Sequence, residues 1–139
     1  MTQYMLDANM VSDLIRHPRG PVAGRLRRIG ASNVCTSIIV AAELRYGAAK
    51  KDSTRLIARV DGVLQHLRVE PFEPPADATY GLLRSHLEKV GRPIGANDLL
   101  IASHAITLNC VLVTANEREF ARIDGLKYEN WLYEVNDYT

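Results

Sequence analysis

The sequence predicts an α/β fold with a short, mostly parallel central sheet flanked by helices. Short apolar runs alternate along the chain with longer segments whose apolar residues have helical spacing. The run at residues 111–113 is apolar and rich in valine, which is typical of a strand buried on both faces. No repeat, linker or low-complexity tract interrupts the 139 residues. We therefore expect a single domain over residues 1–139.

Turn and capping residues give the expected bounds of the elements in chain order. Asp7 is placed to cap a first helix that ends before Pro18, and Thr36 or Ser37 is placed to cap the third. Gly30 is placed to end the second helix. Strands are expected at 4–6, 33–35, 69–72 and 111–113, with an edge strand within 127–133. Further helices are expected at 21–29, 38–46, 56–67, 76–90 and 97–108.

The charge balance limits how this chain could recognise nucleic acid. It has 17 basic and 16 acidic side chains and a net charge of +1, so binding would need a local basic patch. The N-terminus has no basic segment followed by an apolar one, and the apolar runs are too short to span a bilayer. We expect a cytoplasmic protein without a membrane partner.

The cysteine and histidine patterns argue against zinc. Cys35 and Cys110 lie in apolar surroundings without ligand spacing, which favours two buried free thiols and leaves a single disulfide as the alternative. The four histidines are scattered and form no HExxH pattern. His104 is expected to face away from any site near Asp98 or to pack beneath it.

Four carboxylates are candidates for one shared site. Asp7 and Glu119 follow predicted strands, whereas Glu43 and Asp98 lie on helices that a parallel sheet can bring to the same rim. Three of them also have a purely structural interpretation. Asp7 could be a helix cap and Asp98 a first-turn acid. Glu119 stands three residues after Asn116, which is the spacing of a capping box.

Glu43 is harder to explain structurally. It lies in the apolar stretch at residues 38–44, where an unpaired carboxylate is costly to desolvate. Arg45 points elsewhere on the helix and is a poor partner. A metal ion or a water network shared with other carboxylates would explain the placement. Hard divalent cations such as Mg²⁺ and Mn²⁺ prefer oxygen ligands, and they can activate water for attack on a phosphodiester.

Four sequence blocks resemble those of a known family. They are Leu6-Asp7-Ala8-Asn9, the helix from Thr36 to Gly47 that contains Glu43-Leu44, the segment from Gly91 to Ala102, and the segment from Val113 to Phe120. In this order and at these separations, the chain resembles the PIN-domain ribonucleases and, among them, the VapC-type toxins of bacterial toxin–antitoxin pairs. Ala8 stands where the family usually has Thr, and Asn116 stands where many members have Asp.

The resemblance implies endonucleolytic cleavage of RNA with Mg²⁺ or Mn²⁺. Asp7, Glu43 and Asp98 would hold the metal, and Glu119 would be the fourth catalytic acid, acting directly or through water. Asn9, Thr114 and Asn116 would orient ligands or water. The resemblance also implies a homodimer, tRNA as a target class, and a VapB-type antitoxin whose C-terminal segment places a basic side chain in the active site.

Arginines are the candidate RNA contacts. Arg118 lies beside Glu119, while Arg45 and Arg92 lie on elements that carry the acids. A second basic group consists of Arg16, Arg19, Arg25, Arg27 and Arg28. For this group, a solvated helix face is as good an interpretation as phosphate binding.

Two other classes of function remain as alternatives. The first is a catalytically silent PIN-like module that only binds RNA or a protein. The second is phosphoryl transfer through an aspartyl-phosphate at Asp7. Haloacid-dehalogenase-like enzymes need an acid where this chain has Asn9, and receiver domains need an acidic pair that Asp7 lacks.

Overall fold

The computed structural model of the chain describes residues 1–133 and shows a five-stranded parallel sheet of order β3-β2-β1-β4-β5. The last residues of the predicted domain, 134–139, lie outside the described residues. The strands are β1 Gln3–Leu6, β2 Val34–Ser37, β3 Arg68–Glu70, β4 Cys110–Val113 and β5 Tyr128–Glu129. The α/β class and the parallel sheet are confirmed.

The predicted helices are present close to their expected bounds. They are α1 Ala8–Arg16, α2 Pro21–Ile29, α3 Ile38–Lys50, α4 Thr54–His66, α5 Ala76–Lys89 and α6 Ala96–Thr107. A short helix, α7 Glu117–Phe120, follows β4, and a 3-10 turn at Ala31–Asn33 precedes β2. Within residues 1–133, no helix has the length and apolar character needed to cross a membrane.

Capping residues explain where several helices begin and end. Asp7 caps α1 by accepting the Met10 N–H at 3.0 Å. Of the two residues expected to cap α3, Ser37 does so, because its Oγ accepts the Ile39 N–H, whereas Thr36 remains in the strand. Gly30 ends α2 with φ of 95°, which a residue with a side chain rarely adopts.

Three predicted strands needed correction. Asn33 lies in the 3-10 turn, so β2 begins one residue later than expected and extends to Ser37. The third strand spans 68–70 rather than 69–72, because Pro71 has no N–H to continue the ladder. The edge strand within 127–133 is reduced to Tyr128–Glu129, which pairs with β4.

The core lies on both faces of the two central strands. Met5 and Leu6 on β1 and Leu112 and Val113 on β4 are fully buried, as expected for strands covered by helices on both sides. Phe120 is also buried in this core. Because the inner strands are buried along their length, each one ends at a defined level of the sheet. The residue that follows each strand is therefore held at the carboxyl edge of the sheet.

Both cysteines are free and buried, as predicted. Burial and the neighbouring Cys110 thiol raise the pKa of the Cys35 thiol. The alternative of a disulfide is disfavoured, because strand β1 lies between β2 and β4, which carry the two residues. Two strand spacings separate their backbones by about 10 Å, whereas a disulfide needs Cα atoms within about 7 Å.

Candidate active site

The first carboxylate, Asp7, is held at the point where the sheet changes its winding direction. Strands β1 and β4 are neighbours there, and ligands of open α/β sheets bind outside the carboxyl ends of such strands. The Asp7 N–H donates to the Val113 carbonyl at 3.0 Å, so the residue extends the ladder of β1. Its side chain is only 6% exposed. Burial raises the pKa of Asp7, and hydrogen bonds from Thr114 and from backbone N–H groups oppose that shift.

Glu43 enters the same rim from α3. Its Oε1 atom is buried and makes no hydrogen bond within the described part of the chain. Burial, and secondarily the negative charge of Asp7, raise the pKa of Glu43. Arg45 forms an ion pair with Asp61 instead, as expected from its direction on the helix. The carboxylate singled out by its apolar neighbours therefore has a buried, unpartnered oxygen, a feature that it shares with Asp13 on α1.

Asp98 lies in the first turn of α6, as predicted. Its pKa is raised to about 6, first by burial, then by the negative charge of Glu119, and then by a hydrogen bond between the two side chains. The charges of Glu43 and Asp7 raise it further. The charges of all three other acids therefore act on Asp98, so the four predicted carboxylates form one electrostatic cluster.

Glu119 does not form the capping box that its spacing allowed. In that motif the acid would accept the backbone N–H of Asn116. Here Oε2 accepts from the Asn116 side-chain amide at 2.5 Å, and Oε1 accepts from the Gly95 N–H at 3.2 Å. Gly95 is the N-cap of α6, so Glu119 joins the short helix α7 to the start of the helix that carries Asp98.

Of the three residues proposed to orient ligands or water, Thr114 and Asn116 contact the acids through their side chains. Thr114 is fully buried, hydrogen-bonds the Asp7 side chain and accepts the Asn116 N–H at 2.9 Å through Oγ1. Asn116 contacts Glu119 as described above. Asn9 differs, because its side chain is exposed and only its backbone N–H is directed towards Asp7.

The arrangement of these acids is suited to a hydrated hard cation. Within residues 1–133, no lysine or arginine forms an ion pair with Asp7, Glu43, Asp98 or Glu119. Nor do three histidine, cysteine or acidic side chains in that range converge closely enough to chelate one ion. Mg²⁺ is usually bound through one or two carboxylates and keeps several waters, and the unpartnered Glu43 oxygen is available to such an ion.

The arginines proposed as RNA contacts differ in their availability. Arg92 and Arg118 are exposed. Arg45 is exposed but already paired with Asp61. In the second basic group, Arg25 lies 3.5 Å from Glu129 and 5.8 Å from the centre of the Trp131 ring, so it belongs to the packing of the last strand.

A groove beside Glu43 was missed by the sequence analysis. It has a volume of about 380 Å³ and lies between α1, α3 and α4. Ile15, Leu44, Leu56 and Val60 give it an apolar wall, and its charged lining consists of Glu43, Arg16 and Lys51. No local sequence signal identifies this groove, because its small lining residues lie on different helices, Ala8 on α1 and Gly47 and Ala48 on α3.

Comparisons with known proteins agree with this geometry. The family described as PIN domain matches residues 4–126. Ribonuclease VapC2 of Haemophilus influenzae is 38% identical over 133 residues, which are 95% of this chain and 100% of that protein. The tRNA(fMet)-specific endonuclease VapC of Shigella flexneri is 33% identical, covering 94% of this chain and 99% of that protein. A chain in the crystal structure of VapBC2 from Rickettsia felis, bound to a DNA fragment from their promoter, has a TM-score of 0.87 and 41% identity over 94% of this chain and 99% of that chain.

Proposed function

This chain belongs to the PIN-domain family, and on that basis we propose that it is a VapC-type toxin, an endoribonuclease that depends on Mg²⁺ or Mn²⁺. One observation carries the proposal. Four acids from four separate segments lie at one rim of the sheet. Burial, and then the charges of Glu119, Glu43 and Asp7, raise the pKa of Asp98 to about 6. Like charges gathered in this way destabilise a fold unless a cation binds between them.

The proposed metal ligands are Asp7, Glu43 and Asp98, with Glu119 acting directly or through water. Because no three of these side chains, all within the described residues, converge closely enough to chelate one ion, one or two of them would bind the ion itself and the others would act through its waters. A divalent ion in this position would supply a water of lowered pKa and would stabilise charge on the phosphodiester. The protein's own contribution is orientation. Thr114 holds the Asp7 carboxylate, and Asn116 together with the Gly95 N–H holds Glu119. Such supporting contacts commonly affect metal affinity by 10- to 100-fold, to order of magnitude.

The proposed substrate is RNA, with tRNA as the target class and the cytoplasm as the compartment. The tRNA assignment rests on the activity for which the Shigella flexneri relative is named. Arg92 and Arg118 are the proposed phosphate contacts, because both are exposed on segments next to the acids. Arg45 contributes less to this proposal, because Asp61 already neutralises it.

The proposed partner is a VapB-type antitoxin, as in the VapBC complexes that resemble this chain. The groove between α1, α3 and α4 has the features needed to receive an apolar segment of such a partner. A basic side chain on that segment would meet the unpartnered Glu43 oxygen and would compete with the metal. We also propose a homodimer, an assembly implied by the family resemblance alone.

Expression of the chain in bacteria tests the proposal. Inducing the wild-type chain without its antitoxin should arrest growth and produce RNA fragments, whereas Asp98→Asn should do neither. Asp77→Asn is the matched control, because Asp77 is an exposed first-turn acid on α5, away from the rim. Equal toxicity of the wild-type and Asp98→Asn chains at equal expression would contradict the proposed site. It would favour a silent module that acts by binding.

A further inference from the structure

His104 is a buried polar residue that the proposed site does not use. Its side chain is 1% exposed and lies on α6, packed edge-on against the Phe72 ring with 5.3 Å between ring centres. The expectation that His104 packs beneath the site rather than facing it agrees with this position. Its Nδ1 atom lies 2.8 Å from the Ser37 hydroxyl, and Nε2 makes no hydrogen bond within residues 1–133.

Ser37 connects that histidine to the start of α3. The residue is fully buried, ends β2 and caps α3, and its Oγ accepts the Ile39 N–H at 3.0 Å. A hydroxyl that accepts one bond keeps its own proton for a second partner, which here is Nδ1 of a neutral imidazole. Burial lowers the pKa of His104 and favours this neutral form, although the Pro71 carbonyl and the charges of Glu70 and Glu73 oppose the shift.

The hydrogen bond links the two helices that bring Glu43 and Asp98 to the rim. Along α3, Glu43 stands five residues after Ile38, which is about 7.5 Å of helix. Along α6, His104 stands six residues after Asp98, which is about 9 Å. The contact between Ser37 and His104 therefore joins the two helices within about two turns of each acid. A sliding of α3 against α6 would change the separation of the two carboxylates and would break this bond.

We propose that His104 is a positioning residue of the nuclease site, which holds α3 against α6 through Ser37 and thereby sets the separation of Glu43 and Asp98. The inference rests on the proposed function, because it gives His104 a role in a metal site. The alternative is that His104 only fills space in the core. A core filler needs the right shape, whereas a positioning residue needs a polar atom at the place of Nδ1.

Two variants of nearly equal shape separate these roles. His104→Asn keeps a polar atom close to the position of Nδ1, and His104→Leu removes it while leaving a similar volume. Asn is smaller than Leu and buries an amide, so their melting temperatures are measured and their Mn²⁺ affinities are compared at a temperature at which both variants are folded. The readout is the dissociation constant of Mn²⁺ on the full chain, measured by electron paramagnetic resonance, together with kcat and KM for RNA cleavage.

We expect His104→Leu to weaken Mn²⁺ binding about tenfold, the lower end of the effect of supporting contacts on metal affinity. Its kcat should fall while KM stays near the wild-type value. His104→Asn should restore most of the affinity. In the double variant Ser37→Ala/His104→Leu, the loss of Mn²⁺ affinity should be close to that of His104→Leu alone, because both changes break the bond between Ser37 and His104. Its melting temperature should fall further, because Ser37→Ala also removes the cap of α3.

Equal Mn²⁺ affinity of the Leu and Asn variants would overturn the inference and leave His104 as a core residue. If His104→Leu does not fold, the same decision rests on Ser37→Gly against Ser37→Thr. Glycine is tolerated at an N-cap and removes the bond to His104, whereas Thr keeps both the hydroxyl and the helix cap. Failure of the proposed function is distinguishable from these results. A wild-type chain that neither binds Mn²⁺ nor cleaves RNA removes both proposals, whereas an active wild type with indistinguishable Leu and Asn variants removes only this one.

Discussion

The Oε1 atom of Glu119 accepts a hydrogen bond from the backbone N–H of Gly95 at 3.2 Å. This contact spans 24 residues of sequence and joins α7 to the first turn of α6, where Asp98 lies. The contact places Glu119 next to the start of the helix that carries Asp98, although the two acids are far apart in the sequence. The fourth acid is therefore held by the fold as well as by Asn116.

Replacing Glu43 by Gln should make the metal-free protein more stable, by about 1 kcal/mol at neutral pH. The change removes a buried, unpartnered charge beside Asp7. The free energy of unfolding in urea, with EDTA present, measures this. Glu73→Gln is the control, because Glu73 is exposed in a loop. A destabilised Glu43→Gln protein would mean that Glu43 has a partner within the fold.

Divalent cations should raise the melting temperature of the wild-type chain. At a concentration of 100 times Kd, binding stabilises the fold by about 2.7 kcal/mol, or roughly 8 °C for a domain of this size. Calorimetric scans with and without Mn²⁺ measure the shift. The rise should largely disappear in Glu43→Gln and persist in Glu73→Gln. An unchanged rise in Glu43→Gln would exclude Glu43 as a ligand.

The metal-free protein should become more stable as the pH falls from about 7 to about 5. The folded-state pKa of Asp98 is about 6, above its ordinary value of 3.8, so the folded state binds the proton more tightly than the unfolded state. Ionisation above pH 6 therefore costs stability, and protonation below it recovers that stability. The raised pKa values of Asp7 and Glu43 act in the same direction, whereas the pKa of His104, which burial lowers, acts against it.

Urea unfolding across this pH range tests the sign of that dependence. Asp98→Asn should flatten the curve, because it removes the group whose pKa lies within the range. Saturating Mn²⁺ should also remove the slope or reverse it, because protons then compete with the metal for the carboxylates. A pH dependence of stability that is the same in Asp98→Asn and in the wild type, both without metal, would contradict the electrostatic cluster.

Thr114→Val should weaken metal binding while preserving the shape of the core. Valine removes the hydroxyl that contacts Asp7 and caps the Asn116 N–H. We expect about a tenfold loss of Mn²⁺ affinity and a stability loss of roughly 1–2 kcal/mol. Isothermal titration calorimetry and urea unfolding measure the two effects. Thr114→Ser keeps the hydroxyl and should retain most of the affinity, and a loss as large as in Thr114→Val would attribute the effect to packing.

Antitoxin binding should depend on the groove separately from catalysis. Leu56→Lys places a charge on the apolar wall beside Leu44 and Val60 and should weaken binding of the VapB-type partner by more than tenfold, to order of magnitude. RNA cleavage should remain near the wild-type rate. Leu82→Lys is the control, because Leu82 is exposed on α5, which does not line the groove. Equal loss of binding in both variants would place the partner elsewhere.

Much of the fold was predictable because local signals and burial agree. Pro21 and Gly30 bound α2, and Asp7 and Ser37 cap their helices, where the sequence indicated a boundary. The strand bounds were less accurate. Ser32 and Asn33 are residues common in turns, so the start of β2 after them was predictable but was placed one residue too early. The limiting residue of β3 was Pro71 rather than the later Pro74 and Pro75.

The site was predictable only in part, for a physical reason. Glu43 could be identified because a carboxylate among apolar residues is costly wherever the helix lies. Asp98 and Glu119 could each be explained locally, and only the tertiary contact through Gly95 shows how they meet. The groove depends on the spacing between α1, α3 and α4, which no local sequence pattern determines.

The most direct test of the proposed nuclease site is the rate at which the purified chain cleaves tRNA as Mn²⁺ is increased. We predict cleavage that saturates with Mn²⁺, stops in EDTA, and falls by at least about a hundredfold in Asp98→Asn, while Asp77→Asn cleaves like the wild type. Cleavage that persists in EDTA, or that is equal in Asp98→Asn and the wild type, would contradict a metal-dependent nuclease site at the rim formed by Asp7, Glu43, Asp98 and Glu119.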